Sequence, residues 1–187
     1  GVFINNISCH HCKKLSFVFE SFNILQIQIP TNSNILTLEN CLTNYFAEEL
    51  MSDTNKYNCN YCKQYNDATK QISLWTSPNR LIIHLKRFIQ HNNTLVKNNS
   101  IISCPINDLN LSHFISSHNY AQKSCYTLYA VICHLGFLNG GHYIAYTKNI
   151  LNDNWYSIND NHVSHISESH ISSIINQNAY VLFYKKI

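Results

Sequence analysis

The chain has 187 residues, 45% apolar and only 12% charged, with 13 basic and 10 acidic side chains for a net charge of +3. That length builds one domain with a sizeable core or two small ones, and excludes a miniature scaffold held only by disulfides. The basic residues stand as singles and pairs such as Lys13/Lys14 and Lys86/Arg87, so no basic stripe marks a nucleic-acid partner, and asparagines scattered in runs of at most two exclude a low-complexity tract.

The chain enters at once into Val2-Phe3-Ile4 with no basic-then-apolar leader, which reads as a piece of a longer chain rather than a secreted one. From Asn23 to Ile29, Leu25, Ile27 and Ile29 alternate with Ile24, Gln26 and Gln28, the period-two pattern of a strand that Pro30 ends. Thr37 is the expected N-cap of a helix whose apolar stripe is Leu38, Cys41, Leu42, Tyr45, Phe46 and Leu50. Gln71 to Thr76 and Leu81 to Phe88 read as strands separated by the turn Ser77-Pro78-Asn79, the second with Leu81, Ile83 and Leu85 on one face and His84 and Lys86 on the other. Gln90 to Lys123, rich in Asn and Ser, reads as loops around short strands.

Tyr126 to Tyr146 holds no Asp, Glu, Lys or Arg and has the length of a membrane span. Its polar centre, His134, Asn139, Gly140, Gly141 and His142, argues against one, and the Gly-Gly step divides it into two strands, Tyr126 to Leu135 and Tyr143 to Lys148. Further strands are expected at Trp155 to Asn159 and Ala179 to Lys185. Between them Ser167 caps a short helix carrying Ile171, Ile174 and Ile175.

Of eight cysteines, four form two CxxC pairs, Cys9-His-His-Cys12 and Cys59-Asn-Tyr-Cys62. Two intervening residues let a tight turn aim both thiolates at one point, and two such turns supply the four ligands of a closed structural zinc site. His10 and His11 lie inside the first turn and are read as facing solvent. Cys41, Cys104, Cys125 and Cys133 have no close partner in sequence and read as small buried hydrophobes.

Gly140-Gly141-His142-Tyr143 places a histidine at a strand start after two glycines, where bare backbone lets a substrate main chain approach. If the flanking strands form a hairpin around Asn149 to Asp153 with Lys148 opposite Asn154, His142 faces Asp160, or Asn159 after a one-residue shift, and either could orient the imidazole. The nucleophile of a Cys-His-Asn arrangement is normally activated by a helix N-terminus. Cys125 and Cys133 sit in a strand pattern with no such helix, and both are rejected for that role. His134 reads as a hydrogen-bonded strand-end histidine supporting the site.

These residues carry a resemblance. CHHC, Phe22 to Pro30, Leu38-Glu-Asn-Cys-Leu42, CNYC, Leu74-Trp75, Pro78 to Phe88 with its His-Leu-Lys-Arg-Phe, Gly141-His-Tyr143, Trp155-Tyr-Ser-Ile-Asn-Asp160 and Ala179-Tyr-Val-Leu-Phe-Tyr184 resemble, in order and spacing, the ubiquitin-specific protease family of deubiquitinases over nearly the whole chain. The resemblance implies an α+β, papain-like fold of mostly antiparallel sheet with a few short helices: zinc-binding fingers with one helix over residues 1–78 and a palm over 79–187. The helical thumb, with the nucleophilic cysteine in an Asn-x-Cys-Tyr box, would lie upstream and outside this chain, leaving the chain alone inactive.

Carried over, His142 is the general base, with Asn159 the third triad member and Asp160 the acid next to it. Gly140, Gly141 and Tyr143 would line the substrate path, and Cys9, Cys12, Cys59 and Cys62 would bind structural Zn2+. The implied function is thiol-dependent hydrolysis of the bond after ubiquitin's last glycine, in an intracellular monomer whose partners are ubiquitin and ubiquitinated proteins, with no nucleic acid and no membrane. The alternative is an inactive ubiquitin-binding scaffold of the same fold.

Overall fold

The computed structural model describes residues 1–30, 35–91, 93–119, 124–137 and 140–187. Its contacts gather into two compact units, one of residues 1–23, 46–78 and 111–124, the other of residues 24–45, 79–110 and 125–187. Both are built mainly from strands, with helices at Leu38–Tyr45 and Glu168–Asn178, so the α+β class holds. Residues 31–34, the parts of the Gln90 to Lys123 stretch at 92 and 120–123, and residues 138 and 139 lie outside the described residues.

The first unit centres on an antiparallel four-stranded sheet in the order Leu15–Ser21, Val2–Cys9, Ala68–Thr76, Glu49–Met51. Its core is aromatic: Phe3 stacks on Phe22 at 4.1 Å between ring centroids, and Phe46 stacks on Phe114 at 4.7 Å. Ring pairs of this kind add about 0.5–1.5 kcal/mol beyond the area they bury. The hairpin Tyr57–Cys59 with Gln64–Asn66 completes the unit.

The second unit holds a sheet in the order His162–Ile166, Trp155–Asn159, Gly140–Lys148, Cys125–Phe137, Ala179–Lys186, Arg80–Lys86, Ile24–Gln28, antiparallel except for the last pair. The alternation read in the sequence becomes its core: Leu25, Ile27, Leu81, Ile83 and Leu85 are fully buried. Each such side chain stabilises the fold by about 1.5–3 kcal/mol relative to exposure. The fully buried Arg87 donates to the carbonyls of Ala179 (2.6 Å), Asn98 (3.0 Å) and Ser100 (3.0 Å), tying irregular chain to the end of this sheet.

Thr37 caps the first helix as expected: Asn40 N–H donates to its Oγ1 at 3.1 Å, and Thr37 N–H donates back to Asn40 Oδ1 at 3.2 Å. The apolar stripe of that helix is shorter than its sequence suggests. It ends at Tyr45, and Leu50 lies exposed in a strand, opposite Thr69 on the edge of the first sheet. Among the described residues no helix is long and apolar enough to cross a membrane. Tyr126 to Tyr146 instead folds back on itself as two antiparallel strands.

Candidate active site and thiol cluster

Cys9 closes the strand Val2–Cys9 and Cys59 closes Tyr57–Cys59, and after each the chain reverses in a tight turn. The two turns are built alike. Lys13 N–H donates to Cys9 O at 2.9 Å and Lys63 N–H to Cys59 O at 2.8 Å, and both lysines have φ of 58°. This left-handed step, unfavourable for a residue with a Cβ, directly follows the second cysteine of each pair, so the chain turns back with both thiols on the inside of the bend. The CxxCK repeat is the trace of it in the sequence, missed because lysine gives no turn signal.

The four sulfurs lie within 4.8 Å of one another, with Cys9 to Cys62 at 4.0 Å and Cys12 to Cys59 at 3.7 Å. A tetrahedral zinc–thiolate site with bonds of about 2.3 Å sets its sulfurs about 3.8 Å apart, so donor number, chemistry and spacing fit a closed metal site. Backbone N–H groups of Cys62 and Tyr61 draw the Cys59 thiol down to about 7, while the hydrogen bond with Cys12 helps push Cys62 up to about 12. His10 and His11 are exposed, as read, but each has a partner: His10 Nε2 lies 2.8 Å from Thr69 Oγ1, and His11 Nδ1 lies 3.5 Å from Cys62 Sγ.

In the second unit His142 follows Gly140 and Gly141 on the strand Gly140–Lys148 and pairs with Leu135 of Cys125–Phe137. The hairpin register differs from the expected one. Lys148 lies opposite Trp155, because Asn149 N–H donates to Asn154 O (2.8 Å) and Asp153, at φ 59°, donates to Asn149 O (2.9 Å) to close the turn one residue later. The ladder stops at Ala145 and Ile158, so neither Asn159 nor Asp160 is the direct strand partner of His142.

Both nevertheless reach its ring. Asn159 Oδ1 is 2.5 Å from His142 Nε2, and Asp160 Oδ2 is 3.9 Å from the same nitrogen. Adjacent residues of a regular strand point to opposite faces; Asp160 escapes that rule because its φ of 50° opens the turn into His162–Ile166. An acceptor on Nε2 keeps the ring proton there and leaves Nδ1 as the basic nitrogen. The His142 side chain is 47% exposed, accessible to a large substrate.

Among the described residues nothing lies within 4 Å of the place a Gly140 side chain would take, and Tyr143 is exposed. At Gly141 the room is taken: a Cβ there would lie 2.0 Å from His134 Nε2. His134 is buried; its Nδ1 has no hydrogen-bond partner among the described residues, while its backbone carbonyl accepts from Lys97 Nζ at 2.9 Å. All eight cysteines are free. Burial raises the Cys41, Cys104 and Cys133 thiols, Cys133 to about 12. Cys125 starts the long strand ten residues from Leu135, about 33 Å from the partner of His142 at 3.3 Å per residue.

A sheet-borne histidine held by an asparagine, on an α+β scaffold of mostly antiparallel strands, is the arrangement found in papain-like folds. The sequence pattern of the ubiquitin carboxyl-terminal hydrolase family matches residues 2–184, and the chain belongs to that family, as a member of its ubiquitin-specific proteases. It is 39% identical over 157 residues to ubiquitin carboxyl-terminal hydrolase 10 of Arabidopsis thaliana, covering 84% of this chain and 17% of the relative. With ubiquitin carboxyl-terminal hydrolase 12 of Saccharomyces cerevisiae it shares 39% over 149 residues, 80% of this chain and 12% of the relative. Ubp8 in the SAGA DUB module bound to monoubiquitin superimposes with a TM-score of 0.86 at 30% identity, over 100% of this chain and 40% of that one. The chain thus spans well under half the length of these proteins.

Proposed function

We propose that this chain supplies the general base and the structural metal site of a thiol-dependent deubiquitinase. The observation that carries the reading is the Asn159 amide oxygen on His142 Nε2, which leaves Nδ1 free to take a thiol proton. No cysteine of the chain suits the attacking thiol: four cluster together, three are buried with raised thiols, and Cys125 is a strand-length away. The nucleophile is therefore assigned to a thiol outside these 187 residues.

In this mechanism the thiol gives its proton to His142 Nδ1 and attacks the carbonyl after ubiquitin's last glycine. The tetrahedral intermediate collapses as His142 returns that proton to the leaving amine, and the base then deprotonates the water that hydrolyses the thioester. Asn159 holds the ring, and the Asp160 carboxylate favours the transient imidazolium. Gly140, Gly141 and Tyr143 border the path of the ubiquitin tail. Cys9, Cys12, Cys59 and Cys62 would hold a structural zinc, which would supply a cross-link between the two turns. The unit that carries the thiol cluster acts as the fingers and the unit that carries His142, which includes residues 24–45, as the palm, in a reducing, intracellular setting where free thiols persist.

The test uses full-length protein with a fluorogenic ubiquitin C-terminal reporter. His142→Ala is expected to lower kcat by at least about 100-fold, the usual contribution of a general base, while ubiquitin binding is kept. Turnover unchanged by His142→Ala would overturn the reading.

A further inference from the structure

We propose that His134 is a positioning residue for His142, acting as a buried wedge beneath Gly141; this rests on the reading of His142 as the base. The strand Cys125–Phe137 backs the base directly, with His134 opposite Tyr143, Leu135 opposite His142 and Gly136 opposite Gly141. His134 therefore lies diagonally across the ladder from Gly141. Its ring fills the volume a side chain at 141 would occupy, with Nε2 2.0 Å and Cε1 2.6 Å from the Cβ position, both inside any real contact distance. Gly141 is thus required by what lies under it, whereas Gly140, one residue earlier, has nothing within 4 Å among the described residues.

The wedge cannot retreat. Phe88 meets its ring edge-on at 5.2 Å between centroids, and the Tyr143 and Tyr180 rings lie at 4.8 and 6.2 Å. Its backbone is held too, since Lys97 Nζ donates to the carbonyls of His134 and Gly136, each at 2.9 Å. The ammonium therefore grips the strand on both sides of Leu135, the partner of His142. The His134 Nδ1, buried with no hydrogen-bond partner among the described residues, lowers stability, so stability alone does not account for a histidine here. The shape does: a small flat ring fits between three larger aromatic rings and a bare backbone. A Cβ at 141 would push against this fixed ring and displace the backbone next to His142, and misplacement of a catalytic group by about 1 Å lowers turnover on the order of 100-fold.

The experiment is a size swap in the zinc-loaded full-length protein. It reads kcat and KM on the ubiquitin reporter, thermal stability, and the downfield NMR signal of the His142 ring N–H that donates to Asn159. Gly141→Ala is expected to lower kcat about 100-fold with KM within about twofold and to shift or broaden that signal. In the double variant His134→Ala/Gly141→Ala the new Cβ has room, and at least about a tenfold recovery of kcat over Gly141→Ala is expected, with return of the signal. Gly141→Ala with kcat within twofold of the parent, or a double variant no faster than Gly141→Ala, would overturn the proposal. Should Gly141→Ala fail to fold, His134→Ala alone decides: a several-fold fall in kcat at unchanged KM supports the wedge, and unchanged kcat and ring signal refute it. If the unsubstituted protein shows no turnover, the deubiquitinase reading fails, while the ring signal across the same variants still decides the positioning claim.

Discussion

At the thiol cluster each pair of sulfurs is fixed by one short turn, and two turns of the same backbone form meet. At His142 the ligand of the ring comes from 17 residues away, delivered by a hairpin whose register must be right and by a turn residue in a left-handed conformation. Each turn tolerates error elsewhere in the chain, because its two sulfurs carry their geometry with them, and only the meeting of the two turns depends on distant parts of the chain. A site built on register does not, since a slip of one residue moves every side chain to the other face. The first region has the donors and the spacing to take a metal; the second is assembled by hydrogen bonds and packing.

That difference predicts different failures, the largest at the cluster. Cys59→Ser, or exhaustive chelation, is expected to reduce zinc to well below one per chain. It should also raise amide exchange in Ala68–Thr76 far more than in Cys125–Phe137, because binding of a structural zinc is worth on the order of 10 kcal/mol to the fold around it. Zinc content unchanged in Cys59→Ser would remove that residue from the ligand set. Uniform unfolding of both sheets would erase the contrast between the two regions.

The next effect falls on turnover without loss of fold. Asn159→Ala removes the acceptor that fixes the imidazole, and a fall in kcat of about 10- to 100-fold is expected, with ubiquitin binding kept. Asp160→Ala removes a carboxylate 3.9 Å from the ring that is 79% exposed and screened by water, so a several-fold loss is expected. If both variants stay within about twofold of the parent, a barrier change of roughly 0.4 kcal/mol, neither residue orients His142.

The same contrast explains what could be read from the sequence. The ligand cysteines, the Leu25/Ile27 and Leu81/Ile83/Leu85 faces, and the Thr37 cap are local patterns with a period or a spacing, and each is visible in a single string. The hairpin register differs by one residue from the one the sequence suggests because Asp153 adopts a positive φ that aspartate does not announce, and that turn sets the pairing of every residue back toward His142. Val2–Cys9, Leu15–Ser21 and His162–Ile166 were not read as full strands because Asn, Ser and His interrupt their apolar alternation; their pairing comes from neighbouring strands. The contact of His134 with Gly141 arises only once two strands lie side by side, so it could not be seen in either segment alone.

The smallest predicted effect compares the two regions through one backbone feature they share. Lys63 and Asp160 both sit at positive φ, 58° and 50°, where a residue with a Cβ is strained by about 1 kcal/mol relative to glycine. Lys63→Gly and Asp160→Gly should therefore each recover part of that strain in the folded state. The gain is offset in part by the greater freedom of glycine in the unfolded chain, so stability by thermal unfolding is expected to change by under about 1 kcal/mol in either variant. Their functional consequences should separate. Lys63 follows its cysteine pair and only its backbone N–H is used, donating to Cys59 O, which glycine retains, so Lys63→Gly should keep both zinc and turnover. Asp160→Gly keeps the turn but removes the carboxylate near Nε2, so it should match Asp160→Ala in its several-fold loss of kcat. If Asp160→Gly turned over like the parent while Asp160→Ala did not, residue 160 would matter through its backbone conformation alone, and both regions would then depend on a turn residue whose side chain is dispensable.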